Sequence, residues 1–242
     1  MQDEVRERAR TYFDGVSPAH DWHHVRRVAR LAETLVEADD DEASASDGAS
    51  ESDAAGDGSD VDEDGSDVDE DGSGVDEDVL LAAVWLHDVG RAKEDRGEIE
   101  DHAEWGAEEA AEILRDLGAD AETVEAVQHC VRAHRYSNDV DPETREAKLL
   151  SDADNLDALG AVGIARVFAY GGELGQPLYD PDLPPEADDS AAGETQFNHV
   201  HEKILDLPDR MYTDAGRELA RERGEYVAAF AERFEREAMG ER

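Results

Sequence analysis

Apolar residues in this chain recur every three to four positions, and nowhere do they alternate in the two-residue rhythm of a half-buried strand. Residues 1–13 follow the helical pattern until Asp14-Gly15-Val16-Ser17-Pro18 breaks it. Asp21 can cap a second helix that ends near Ala38, with Val25, Val28, Ala29, Leu31, Ala32, Leu35 and Val36 on its apolar face. A very apolar helix then spans Val79 to Leu86 and delivers His87-Asp88 at its end. Asp101 and Glu104 have the spacing of a capping box for a helix over 102–117; Gly118 ends it, and Asp120 starts another that reaches His134. A helix from about Pro142 carries Lys148, Asp152 and Asp154. Ala158 to Tyr170 reads as a small, apolar helix stopped by Gly171-Gly172. The closing helix, 209–238, sets Tyr212, Ala215, Leu219, Tyr226, Phe230 and Phe234 at helical spacing. The proline- and aspartate-rich residues 175–193 read as a loop and a mobile lid. The fold class is all-α.

One stretch carries no such pattern. Residues 39–78 are almost wholly Asp, Glu, Ser, Gly and Ala, and the unit Gly-Ser-Asp-Val-Asp-Glu-Asp at 58–64 recurs at 65–71. It offers too little apolar surface to offset chain entropy, so it reads as a disordered acidic insertion within one domain spanning 1–242. Its aspartates do not make a calcium loop, because no single register supplies both the glycine at position six and the glutamate at position twelve.

Charge extends beyond that insertion. The chain has 65 acidic and 23 basic residues, a formal net charge of −42. The block from Glu37 to Asp78 supplies 20 of the acids and no base, which still leaves a large acidic excess elsewhere. Such a balance suits the cytosol of a salt-accumulating halophile of haloarchaeal type, where molar salt shortens the screening length to about 3 Å. With no basic stripe to neutralise phosphates, a nucleic-acid polymer is not an expected partner. The lone Cys130 allows no intrachain disulfide and reads as a packed thiol on the buried side of a helix. No signal peptide or apolar run of membrane length is visible, so a cytoplasmic location with no membrane partner is expected.

The candidate chemistry lies in His24, the adjacent His87-Asp88, and Asp154, on three separate helical segments. Polar side chains emerging where a core helix stops cost several kcal/mol, roughly, if buried unpaired, and a metal ion would satisfy them. Two imidazoles and two carboxylates without a thiolate suit a six-coordinate divalent ion, Mn²⁺ first, with Mg²⁺, Fe²⁺, Co²⁺ or Ni²⁺ as alternatives and Zn²⁺ less characteristic of such a set. No Gly-x-Ser-x-Gly elbow, P-loop or Gly-x-Gly-x-x-Gly dinucleotide fingerprint is present.

Five segments together resemble one subgroup of the HD-domain metal-dependent phosphohydrolases. They are His20-Asp21-Trp22-x-His24-x-x-Arg27-Val28, Leu86-His87-Asp88-Val89-Gly90, His102-x-x-x-Gly106-Ala107, Arg132-x-His134-Arg135-Tyr136-Ser137, and the run from Glu146 through Asp154 to Ala161. The subgroup comprises small bacterial and archaeal hydrolases, some of them nucleoside-triphosphate pyrophosphohydrolases, and the resemblance covers about 1–35 and 79–240. It implies an HD-type helical bundle with His24, His87, Asp88 and Asp154 as metal ligands. His24 is preferred to His20 and His23 because the family's first histidine stands four residues before a valine, here Val28. Asp154 is preferred to Asp152 because the family's aspartate stands two before a leucine, here Leu156. In two-metal members, further histidines between the HD pair and the last aspartate hold the second ion, and His102 and His134 stand in that interval.

The expected activity is therefore hydrolysis of a phosphate ester or anhydride, a nucleotide above all, with Asp88 orienting or deprotonating the attacking water. Arg27, Lys93, His102, His134, Lys148 and Lys203 are the candidate phosphate contacts, the lysines because lysine is so rare here. A non-catalytic, metal-dependent nucleotide sensor using the same pocket is the alternative. The exact substrate and the oligomeric state stay open at this level.

Overall fold

Helix ends dictate where this chain puts its chemistry, so the elements are given first with their caps. The structure, a computed structural model, describes residues 1–47, 74–135 and 140–241. Its helices are α1 (Gln2–Arg10), α2 (Trp22–Asp47), α3 (Glu77–Leu86), α4 (Arg91–Asp95), α5 (His102–Asp116), α6 (Ala121–Ala133), α7 (Arg145–Asp157), α8 (Gly160–Leu174), α9 (Gln196–His199) and α10 (Asp214–Ala238). A π-helical turn, Val200–Ile204, continues α9, and short 3-10 turns join several elements. No strand occurs among the described residues, so the fold is all-α.

Most helix starts are chemically specified. The side chains of Asp76, Asp101, Asp120, Thr144 and Thr213 each accept a hydrogen bond from a backbone N–H in the first turn of α3, α5, α6, α7 and α10. Such caps satisfy donors that have no partner inside the helix. Asp21 does the same for α2, accepting from the N–H groups of His23 and His24.

Several boundaries differ from the sequence pattern. The helix expected to end near Ala38 runs on to Asp47. Neither glycine nor proline interrupts it before Gly48, and Asp39 pairs with Arg145 at 3.3 Å. At the other end of the acidic stretch, Asp76 is already the cap of α3. Residues 48–73, with the repeats, lie outside the described residues. α7 begins after Thr144 and not at Pro142, and α10 begins after Thr213 and not at 209.

Gly171-Gly172 does not stop α8, which ends at Gly175 in the left-handed region (φ +69°). Gly171 has a packing reason instead: a Cβ there would lie 1.9 Å from the Gln196 side chain. The loop read as a mobile lid is tethered. Asp188 accepts from Ser190, from Glu194 N and from Asn198, and the carbonyls of Pro177 and Leu178 accept from the N–H groups of Gln196 and Phe197.

Helices α2, α3, α6 and α7 pack on one another and bury Val28, Leu86, Val127, Leu149, Leu150 and Leu156 between them. α1 covers α3, α5 lies on α6, and α8 with α10 closes the α7 side. The apolar face anticipated for α2 contributes Val25, Val28, Ala32 and Leu35 to the core; on α10 the buried positions are Ala215, Ala220 and Val227, and of the anticipated residues Tyr212 and Tyr226 are exposed. Among the described residues no helix is long and apolar enough to cross a membrane.

Candidate active site

His24 stands in the first turn of α2, His87 follows the last residue of α3, and Asp154 lies in the last turn of α7. His102 opens α5 and His134 closes α6. Five helix ends thus meet at one end of the bundle. Side chains at helix ends can turn into a shared space without interrupting the helical hydrogen-bond ladder.

The four residues assigned as ligands converge. His24 Nε2 lies 3.3 Å from His87 Nε2, 3.3 Å from Asp154 Oδ1 and 3.4 Å from Asp88 Oδ2. His87 Nε2 lies 3.8 Å from Asp88 Oδ2 and 3.9 Å from Asp154 Oδ1. The other oxygen of Asp88 faces a second pair: Oδ1 is 3.3 Å from His102 Nε2 and 3.9 Å from His134 Nε2, and those two nitrogens are 3.4 Å apart. His24, His87 and Asp154 therefore make one ligand group and Asp88, His102 and His134 another, with Asp88 standing between them. His102 and His134, sequence candidates for substrate contact, sit in the cluster itself.

Each imidazole is held from behind at Nδ1. His24 Nδ1 bonds to Asp157 Oδ2 (2.8 Å) and His102 Nδ1 to Glu94 Oε2 (2.9 Å), while His87 and His134 donate to the carbonyls of Val84 (2.8 Å) and Val131 (2.6 Å). A proton fixed at Nδ1 leaves Nε2 with its lone pair directed at the cluster, which is the tautomer a metal ligand requires. Facing lone pairs on buried nitrogens repel one another unless a cation stands among them. The donor set fits a divalent metal ion.

The electrostatics agree. Burial and the charge of Arg166 oppose a proton on His24, yet hydrogen bonds to Asp154, Asp157 and Asp88 push its pKa up to about 10. The carboxylates of this half call for a positive charge. On the other side, burial and repulsion from His87 and His102 bring His134 down to about 4, so its imidazole stays neutral. Burial works against ionisation of Asp88, but His87, His24 and His102 hold its carboxyl well below the usual range.

A family model for the HD domain matches residues 21–159, the span that carries His24, His87, Asp88 and Asp154. The chain belongs to the HD-domain family. It is 27% identical to the Bacillus subtilis protein YpgQ over 98% of this chain and 94% of that one. The crystal structure of YpgQ in complex with ADP is similar at a TM-score of 0.65 and 26% identity, covering 98% of this chain and 97% of that one. An HD-superfamily hydrolase from Bacillus thuringiensis is similar at 0.65 and 30% identity, covering 98% and 95%. A shorter match, 34% identical, joins 34% of this chain to 30% of the 3'-5' exoribonuclease YhaM of Halalkalibacterium halodurans.

Above the HD pair opens a cavity of about 370 Å³. Asp88, Asp154, His102 and His134 reach it, and so do Arg91, Arg135, Arg166 and Lys203. Arg91 is anchored on Glu94 (3.1 Å) and Asp95 (3.3 Å), and Arg166 on Ala19 O (2.8 Å) and Asp157 (3.0 Å). Both keep Nη2 without a partner among the described residues. Lys203 has no ion-pair partner there at all.

Three sequence candidates do not line this cavity. Lys93 pairs with Glu98 (3.7 Å) and sits over the Trp105 ring (4.9 Å). Lys148 precedes Asp154 by six residues, about 240° around the helix, and so leaves α7 on another side. Arg27 donates to both oxygens of Asp157 (2.7 and 3.0 Å) and borders a separate cavity.

Sequence reasoning missed the carboxylates behind the histidines, Asp157 and Glu94, and the cavity arginines Arg91, Arg135 and Arg166. Asp157 had a local signal, because it follows Asp154 by three residues on one helical face. Glu94 had none: it reaches His102 from a different helix.

Proposed function

We propose that this chain, acting as one HD domain over 1–242, is a metal-dependent phosphohydrolase whose substrate is a nucleotide. The observation that carries this reading is Asp88, whose two oxygens face two separate histidine pairs at the floor of a cavity rimmed by basic side chains. His24, His87, Asp88 and Asp154 would hold one divalent ion, with Mn²⁺ as the first choice, and Asp88, His102 and His134 a second. The ADP bound in the YpgQ crystals supports a nucleotide as the ligand class.

Bound there, a divalent cation supplies Lewis acidity toward phosphorus and makes water acidic enough to attack near neutral pH. The protein's part is to bind, orient and take the proton. Arg91 and Arg166, each with an Nη2 that has no partner among the described residues, and Lys203 neutralise the phosphoryl oxygens. Arg135, anchored on Glu94 at 3.0 Å, adds a further cation. Asp88, standing between the two histidine pairs, would orient or deprotonate the attacking water. Attack then breaks the bond from phosphorus to its leaving-group oxygen.

The test is turnover. Protein in molar KCl with Mn²⁺ is given a panel of nucleoside mono-, di- and triphosphates, and orthophosphate and pyrophosphate release are measured separately. Asp154→Ala serves as the control and should be inactive. Wild-type protein that binds nucleotides without releasing either product would overturn the enzymatic reading.

A further inference from the structure

His20 reaches the same cavity, yet neither of its ring nitrogens has a hydrogen-bond partner among the described residues. It belongs to none of the metal-capable groups found there. Its place is nevertheless tightly set. His20 N donates to Ser17 O at 3.0 Å, the neighbouring Ala19 carbonyl accepts from Arg166, and the ring stands edge-on to Tyr170 (5.3 Å between centroids) and His24 (5.9 Å). A phenyl ring would satisfy all of that packing. The imidazole at this position therefore has unfinished polar business.

The pattern also assigns its proton. Nδ1 is sealed from solvent and has no partner, whereas Nε2 is not sealed. A buried N–H without an acceptor is the rarer and costlier defect, compared with an acceptor that lacks a donor. The proton thus belongs on Nε2, the open nitrogen of a cavity-lining ring, and makes it a donor. Arg91 and Arg166 line the same cavity, and each leaves Nη2 without a partner among the described residues. What these three groups have in common is an unmet demand for an acceptor, and phosphate oxygens are the acceptors a phosphohydrolase brings.

We propose that His20 is a substrate-contacting residue, its Nε2–H donating a hydrogen bond to a phosphate oxygen of the bound nucleotide alongside Arg91 and Arg166. This rests on the nucleotide reading above. It adds to the site a residue that holds substrate and not metal, supplied by the turn before α2.

The informative variant is His20→Phe, which keeps the ring packing and removes both nitrogens; His20→Gln restores a donor. Three quantities are measured in molar KCl: Mn²⁺ affinity by electron paramagnetic resonance, ADP affinity by calorimetry, and KM with kcat on the nucleotide that wild type hydrolyses best. His20→Phe should bind Mn²⁺ as wild type does, while ADP affinity falls and KM rises by about tenfold or more, the scale of one lost hydrogen bond to a charged group. His20→Gln should recover part of the loss. Wild-type ADP affinity and kinetics in His20→Phe would overturn the proposal and leave the phosphohydrolase reading standing. Loss of Mn²⁺ binding in His20→Phe would overturn it too, by placing His20 on the metal side. A wild-type protein that neither binds nor hydrolyses nucleotides removes both readings together.

Discussion

Asp157 holds His24 from behind. Its Oδ2 accepts the Nδ1 proton of His24 at 2.8 Å, and the same buried carboxylate is gripped by Arg27 (2.7 and 3.0 Å) and Arg166 (3.0 Å). Burial alone would favour its neutral form, but the bonds from His24 and Arg27 and the charge of Arg166 hold its carboxyl well below the usual range. Asp157 thus fixes the ring orientation and tautomer of a candidate ligand and increases its basicity. Asp157→Asn should weaken Mn²⁺ binding by about 10- to 100-fold, the usual cost of losing such a partner. Metal titration of the variant checks this, and an unchanged affinity would count against His24 as a ligand.

Asp152 and Asp154, two residues apart on α7, should respond oppositely to replacement. Asp152 accepts from Tyr212 N, Thr213 N and Thr213 Oγ1 at 2.7–2.8 Å, and so ties the start of α10 to α7. Asp152→Ala leaves those donors unmet and should cost about 2–4 kcal/mol of stability, read as a lower urea midpoint, with little change in Mn²⁺ affinity. Asp154→Ala should abolish high-affinity Mn²⁺ binding while the fold remains. If Asp152→Ala alone removed the metal, the ligand assignment would be wrong.

Gly171 and Gly172 make a paired test of α8. A Cβ on Gly171 collides with the Gln196 side chain at 1.9 Å, whereas one on Gly172 meets nothing within 4 Å. Gly171→Ala should destabilise by about 1–3 kcal/mol through overpacking. Gly172→Ala should be neutral or stabilise by about 0.5–1 kcal/mol, because the residue is exposed inside a helix. Urea unfolding of the two variants decides it.

Lysine rarity made three lysines candidates, and the cavity keeps one of them. Lys203→Met should raise KM for the nucleotide by about tenfold, since it removes a cavity cation that has no ion-pair partner among the described residues. Lys148→Met should leave KM within about twofold, as its side chain does not line the cavity. Steady-state kinetics of the two variants, side by side, test the assignment.

Cys130 ties stability to alkaline pH. The residue is fully buried, and burial pushes its thiol up to about 12. Below the unfolded pKa of about 8.5 the thiol is protonated in both states, and its contribution does not vary. Above that pH the unfolded chain ionises while the native thiol does not, so stability falls by about 1.4 kcal/mol per pH unit until pH nears 12. Cys130→Ala should lose less stability than wild type between pH 8 and pH 10 in urea titrations. Parallel losses in the two proteins would contradict this.

Much of the site was legible because its signals are local. A capping aspartate beside the residues it caps, an apolar run ending in His87-Asp88, and an acid breaking the apolar face at Asp154 are all visible within one or two helical turns. The acidic stretch misled at its edges for the same reason. Composition averages over a window, whereas α2 stops only where something stops it, and α3 starts where Asp76 caps it.

The order of the main helices and the all-α class therefore belong to the linear sequence, since periodicity and caps act between residues a few positions apart, while the candidate ligand set came from the resemblance to the HD family. Which side chains meet was settled only by packing. His24 and Asp157 are 133 positions apart, and Glu94 and His102 sit on different helices. Arg91, Arg166 and His20 enter one cavity, while Lys93, Lys148 and Arg27 turn elsewhere. Helical spacing says which face a residue occupies on its own helix. What that face meets depends on how the helices cross, and that is set by the whole buried core at once.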